Sequence, residues 1–170
     1  LHGTCRRQRQ MCIRDRPGAS PKEKEFFDTA KKDLNLNNAK LVSFGSTRKL
    51  NTKVEEDPQV QALIDSETEY VCIVGKSSNL HITKALETDV DNAISMAVDT
   101  VRFLKENNRK VFFDAEHFFD GLKENAEVTL KILDSVVNEG VECFIFCDTN
   151  GGTLPPVSYT HLRAHETLSH

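Results

Sequence analysis

The sequence predicts an α/β fold of parallel strands, arranged as about half of a (β/α)8 TIM barrel, and three observations predict it. Four short, nearly continuous apolar runs alternate with amphipathic stretches, the pattern of strands buried on both faces and crossed by helices. The runs begin about 29, 41 and 32 residues apart, which suits βα units whose right-handed crossovers lay the strands side by side in chain order. Polar residues follow each run at once: Thr47 and Arg48, Lys76 and Ser77, Asp114 with Glu116 and His117, and Asp148 with Thr149. In a barrel all strand ends converge on one mouth, where chemistry is built, whereas an open doubly wound sheet needs polar ends only at its switch point. A whole barrel takes roughly 200–250 residues or more, so residues 17–156 supply only about half of one.

Each element has its own signal. Ser20-Pro21-Lys22-Glu23 is a capping box with Pro at the first helical position, opening a helix with Phe26, Phe27 and Ala30 on one face. Residues 41–44 form the first strand. Asp57-Pro58 starts a second helix in the same way, and residues 70–74 form the second strand. Asp89 opens a long helix whose Val90, Ala93, Ile94, Ala97, Val98, Val101 and Leu104 keep the i, i+3, i+4 spacing. Residues 111–113 are the third strand. A fourth helix over about 125–138 stacks Ala126, Leu130, Leu133 and Val137 and stops at Gly140, which accepts a left-handed cap. Residues 143–147 are the fourth strand, giving the order α-β-α-β-α-β-α-β.

Composition narrows the class. With 38% apolar and 28% charged residues among 170, and no apolar run of about 18, the chain reads as one water-soluble domain without a membrane span. The absence of a signal-peptide pattern and five irregularly spaced cysteines predict reduced thiols and a cytoplasmic location. Charge is distributed unevenly. Residues 17–156 hold thirteen Lys and three Arg against 24 acids, while residues 1–16 hold five Arg and no Lys, and residues 157–170 one Arg and no Lys. Residues 11–15 and 157–167 resemble translated sequencing-adapter read-through. Residues 1–16 and 157–170 are therefore expected to be non-native tails flanking a partial TIM-barrel catalytic domain at 17–156. The Arg-rich arm lacks interleaved aromatics and precedes an acidic body, which argues against nucleic-acid binding. His161 and His165 stand four apart, but no third metal ligand is placed with them.

The motifs bear several readings on composition alone. Val74-Gly75-Lys76-Ser77-Ser78 looks like the end of a phosphate loop, yet Tyr70 stands where that loop's first glycine belongs, so a strand end facing a pocket is preferred. Residues 113–121 pack Asp114, Glu116, Asp120 and His117 among phenylalanines; they suit acid/base work or metal binding as well as a solvated, capped turn. Asp148, Thr149 and Asn150 precede Gly151 and Gly152, a strand end that suits either a small ligand or a simple turn. Cys143 and Cys147 read as strand packing residues rather than a redox or zinc pair.

Taken together, Phe44-Gly45-Ser46-Thr47-Arg48, Val74-Gly75-Lys76-Ser77 with His81, the stretch 113–121 and the stretch 147–155 are in the order and spacing of a known family. They resemble the citramalate synthase branch of the 2-isopropylmalate synthase family (HMG-CoA lyase-like, with a pyruvate carboxyltransferase domain). Pro17-Gly18 through Pro21 is similar to that family's loop after its second barrel strand, so the resemblance spans about residues 17–155. It implies a fragment covering the third to sixth strands of a barrel whose parent condenses acetyl-CoA with pyruvate to (R)-citramalate, on a route to isoleucine. In such enzymes a divalent metal, Mg or Mn, polarises the keto carbonyl while a base takes a proton from the acetyl methyl. Carried over by position, Glu116 resembles the carboxylate lining the substrate and metal site, and Thr149 the hydroxyl that holds the keto-acid carboxylate. Arg48, His81, Asp114, His117, Asp148 and Asn150 would line the same mouth, with Lys76 a further candidate.

The departures from the family pattern matter equally. Its first strand ends in an Arg-Asp pair and a later strand in a His-x-His pair, which together hold the metal. Arg14-Asp15 stands directly before Pro17, where a strand, a helix and another strand should intervene, and His161 and His165 are wrongly spaced. No metal ligand is therefore assigned within this chain, and as a fragment it is expected to be inactive. The resemblance further implies a homodimeric parent; the acidic body and the lack of a long apolar run predict no nucleic-acid and no membrane partner. Sister activities, 2-isopropylmalate or homocitrate synthesis, differ in the keto acid used. A non-enzymatic, flavodoxin-like module is disfavoured by polar groups at four strand ends.

Overall fold

A computed structural model of the chain describes residues 17–18, 20–33 and 39–153. Both expected tails, and with them Arg14-Asp15, His161 and His165, lie outside the described residues. The elements run α1 (Pro21–Asp33), β1 (Val42–Ser46), a 3-10 turn (Val54–Glu56), α2 (Pro58–Asp65), β2 (Tyr70–Lys76), α3 (Asn79–Ala85), α4 (Val90–Glu106), β3 (Lys110–Glu116), α5 (Phe118–Asn138) and β4 (Cys143–Phe146). All strand pairs are parallel and the order is β1-β2-β3-β4. Consecutive order, with no switch point among the described strands, is the order a barrel requires.

The core lies between the sheet and its helices. Val60 and Leu63 of α2, Ala97, Val101 and Leu104 of α4, and Val136 of α5 pack on Val71, Ile73, Val111, Phe113 and Ala115. Each fully buried aliphatic or aromatic side chain among them is worth roughly 1.5–3 kcal/mol. The approach is close: a Cβ on Gly45 would stand 2.8 Å from Leu63 Cδ1, so glycine lets α2 lie flat on β1. Val71, Cys72 and Ile73 of the central β2 are wholly buried, as expected of strands covered on both faces. The four residues of β4 are all partly exposed, because β4 pairs on one side only among the described strands.

Helix starts follow the caps read from the sequence. Buried Asp57 accepts the Gln59 and Val60 N–H groups at 2.9 and 3.2 Å and also the Lys49 N–H at 2.8 Å. Asp89 accepts the Asn92 N–H at 2.8 Å. The Ser20 box is half formed: Ser20 Oγ accepts from Glu23 N–H at 3.4 Å, while the buried Glu23 Oε2 has no partner among the described residues.

Four expectations need correction. The first three strands extend beyond their apolar runs, so Gly45, Ser46, Gly75, Lys76, Asp114 and Glu116 are themselves in the ladder, while β4 stops at Phe146, one residue short of the expected Cys147. α3 was not expected at all. α5 begins at Phe118, ahead of position 125; Asn125 interrupts it with φ −156° and ψ 93° and caps the second part through a 3.2 Å bond from the Val128 N–H. Its inward face is Thr129, Ile132, Leu133 and Val136, with Ala126 and Val137 exposed, because the Thr129 hydroxyl satisfies itself by donating to the Ser77 carbonyl at 2.9 Å.

Candidate active site at the strand ends

The C-terminal ends of the four strands open on one cleft of about 680 Å³, lined among others by Arg48, Lys76, Asp114, Glu116, Asp148 and Thr149. The in-register pair Lys76↔Glu116 sets its floor. Lys76 Nζ contacts Glu116 Oε2, and Ser77 grips the Glu116 carbonyl twice, from its N–H at 3.1 Å and its hydroxyl at 2.7 Å. Glu116 thus has its side chain held from the last residue of β2 and its main chain from the residue after it, as a carboxylate needs if it is to present one fixed orientation.

Beside it, Asp114 accepts a hydrogen bond from Cys147 Sγ at 2.6 Å. Burial pushes the Asp114 carboxyl up from its ordinary value, and the thiol hydrogen bond partly offsets this. Cys147, read from sequence as a packing residue, in fact lines the cleft. Asp148 closes the following turn, accepting the Thr153 N–H at 2.9 Å and its hydroxyl at 3.1 Å. Apolar walls come from Phe44, Leu86, Met96, Ile145 and Phe146. Gly75 keeps the floor thin, since a Cβ there would overlap the Phe113 ring.

Arg48 lines the cleft but spends its guanidinium on the protein. Nε and Nη2 donate to Asp99 Oδ2 at 3.0 and 2.7 Å, Nη2 to Ser95 Oγ at 3.2 Å, and Nη1 to the carbonyls of Lys49, Leu50 and Thr52. It ties the β1–α2 loop to α4. His81 and His117 stand beside the cleft rather than in its lining, their rings stacked at 3.6 Å and 8°. Burial, then His117 and then Lys76, hold the His81 pKa below its ordinary value. His117 Nδ1 faces Asp120 Oδ2 at 3.3 Å, and Asn150 Nδ2 donates to the same oxygen at 2.8 Å. The His117 main-chain N–H donates to Thr149 Oγ1 at 2.8 Å.

So the fold brings Glu116, Asp114, Asp148, Thr149 and Lys76 together in one cleft, sets His81, His117 and Asn150 behind Thr149, and diverts Arg48. The sequence placed Asp120 in the 113–121 cluster without a place at the mouth, and left Asp99 out altogether. Asp120 had a signal in its place three residues after His117, on one side of a helical turn; Asp99, 51 residues from Arg48, had none. Among the described residues no three His, Cys, Asp or Glu converge to hold a metal ion. The carboxylate nearest such a role, Glu116, is occupied by Lys76. The described residues by themselves do not complete a metal centre. No helix among them is long and apolar enough to cross a membrane.

Comparison with known proteins agrees with this architecture. The chain is 51% identical over 143 residues to an (R)-citramalate synthase of Aquifex aeolicus, covering 84% of this chain and 27% of that protein. It is 42% identical over 139 residues to the (R)-citramalate synthase of Streptomyces coelicolor, covering 82% and 26%. The chain therefore spans about a quarter of the length of the curated relatives it matches. Among solved structures, the HMG-CoA lyase of Bacillus subtilis superposes with a TM-score of 0.65 at 12% identity, over 88% of this chain and 50% of that one. The hydroxymethylglutaryl-CoA lyase of Pseudomonas aeruginosa gives 0.64 at 10%, over 87% and 47%. These confirm the parallel barrel fold, of which this chain is a part. The HMGL-like family matches residues 16–167, and the chain belongs to that family.

Proposed function

We propose that this segment is the substrate-binding quarter of an acyltransferase that condenses acetyl-CoA with pyruvate to give (R)-citramalate. The observation that carries the reading is the 51% identity over 143 residues with an (R)-citramalate synthase. The cleft supports it chemically. Thr149 offers a hydroxyl at its rim for the pyruvate carboxylate, and Glu116, held by Lys76 and Ser77, presents one fixed carboxylate on its floor. The apolar walls, with Phe44, Leu86 and Met96, suit the small methyl group of pyruvate. The divalent metal implied by the family resemblance would find at most Glu116 here, its other ligands belonging to the rest of the barrel. A cytoplasmic location, which rests on the missing signal-peptide pattern and the irregular cysteines, and a homodimeric parent, which rests on the resemblance, belong to the same reading.

Exchange of residues 17–153 into the Aquifex aeolicus enzyme tests the proposal. The chimera is expected to form citramalate from acetyl-CoA and pyruvate, and Glu116→Gln in it to lower kcat/KM at least about a hundredfold, the scale of removing one preorganised charged group. A folded chimera that forms no citramalate, or that prefers a larger 2-keto acid, would overturn it.

A further inference from the structure

We propose that His81 is a positioning residue for Thr149: its ring, stacked on His117, holds that residue in the left-handed conformation whose main-chain N–H orients the Thr149 hydroxyl. The inference rests on the function proposed above and assigns His81 no contact with substrate.

Four observations meet at His117. Its φ is +60° and its ψ 31°, a left-handed conformation that costs a residue bearing a Cβ roughly 1 kcal/mol and persists only where the surroundings hold it. Its ring lies flat on His81 at 3.6 Å. Its Nδ1 is aligned by Asp120, itself tethered by Asn150 from the loop after β4. Its N–H points across to Thr149 Oγ1 at 2.8 Å, bonding the end of β3 to the end of β4. With β3 and α5 holding its two flanks, His117 can leave the left-handed region only by a flip of the Glu116–His117 peptide plane, which would turn this N–H away from Thr149 and break the Ser77 bonds to the Glu116 carbonyl.

The consequence for Thr149 is directional. A hydroxyl has one proton to give and two lone pairs to receive with. By accepting from the His117 N–H, Thr149 has one lone pair fixed, and its own proton is left to be donated into the cleft, toward a carboxylate. His81 is placed for the supporting task alone: it projects from α3, makes no polar side-chain contact among the described residues, and meets the site through the stack. Burial, and then His117 and Lys76, hold the His81 pKa below its ordinary value, which favours the uncharged ring in a flat contact between two imidazoles.

The test compares His81→Ala with His81→Phe in the active chimera. His81→Ala is expected to raise the KM for pyruvate about tenfold, the scale of one hydrogen bond to a charged group, with the KM for acetyl-CoA unchanged. His81→Phe, which keeps a flat ring but no nitrogen, should restore most of the loss. Equal defects in both variants would mean that the imidazole itself touches substrate, and an unchanged KM in His81→Ala would mean that the stack does nothing; either result overturns the proposal. A crystal structure of the His81→Ala chimera answers independently of activity. His117 should leave the left-handed region and the contact to Thr149 should open, and persistence of both defeats the inference even if the chimera forms no citramalate.

Discussion

Lys76 and Arg48 carry the same charge at neighbouring strand ends and are used in opposite ways. Lys76 meets Glu116 at the cleft floor, whereas Arg48 is consumed by Asp99, Ser95 and three carbonyls. A forked guanidinium suits that stitching, and a compact ammonium suits contact with a single carboxylate. At the same scale His81 makes stability depend on pH. Its folded-state pKa lies below the ordinary 6.5, so folding favours the neutral ring. That contribution is complete above about pH 6.5 and is lost as pH falls through the lower folded value, because the unfolded chain takes up the proton first. His81→Phe removes the titration. Between pH 7.5 and 5.5 the thermal midpoint of the chimera should therefore fall further with His81 than with Phe; parallel decreases would show that burial of His81 has no such effect.

Packing between elements depends on a few close approaches. Gly121, in the first turn of α5, sits where a Cβ would stand 2.6 Å from both the Ser77 carbonyl oxygen and Thr129 Oγ1, and 3.1 Å from Ser78 Cα. Two of these neighbours are backbone, so little can relax. Gly121→Ala is expected to cost about 2 kcal/mol, typical of overpacking, and to lower kcat as well, since Ser77 also holds Glu116. Differential scanning calorimetry beside a citramalate assay would read both, and an unchanged midpoint would show that α5 can shift freely. The strands and their order were legible because apolar runs and βα spacing are local signals. The site was legible in part, because polar residues at strand ends need no long-range knowledge. α3 was not legible: Ser78 gives it no side-chain cap but donates its hydroxyl to Glu124, 46 residues away. Nor was the inward face of α5, where Thr129 counts as polar until its hydroxyl is seen bonded to Ser77. The diversion of Arg48 likewise depends on Asp99, which only the tertiary fold brings near.

At the scale of the whole molecule, the described sheet is an arc with two unpaired edges, β1 and β4. The β4 side is the more exposed chemically. Phe113, Phe118, Phe144 and Phe146 form a contiguous aromatic cluster with centroids 4.3–6.1 Å apart, and Phe144 and Phe146 are only partly covered. In a closed barrel the next strand would pair with β4 and remove both liabilities. The 170-residue chain by itself is accordingly expected to self-associate and to form no citramalate with Mg or Mn present. Light scattering after size-exclusion chromatography should report species larger than 19.2 kDa that grow with concentration. A monodisperse monomer with a cooperative melt, or measurable citramalate, would refute the view that this arc needs the rest of its barrel. The same edge that drives association in the isolated chain becomes a seam in the chimera, where the partner strands are supplied; loss of self-association there, with gain of activity, would tie both to closure of one sheet.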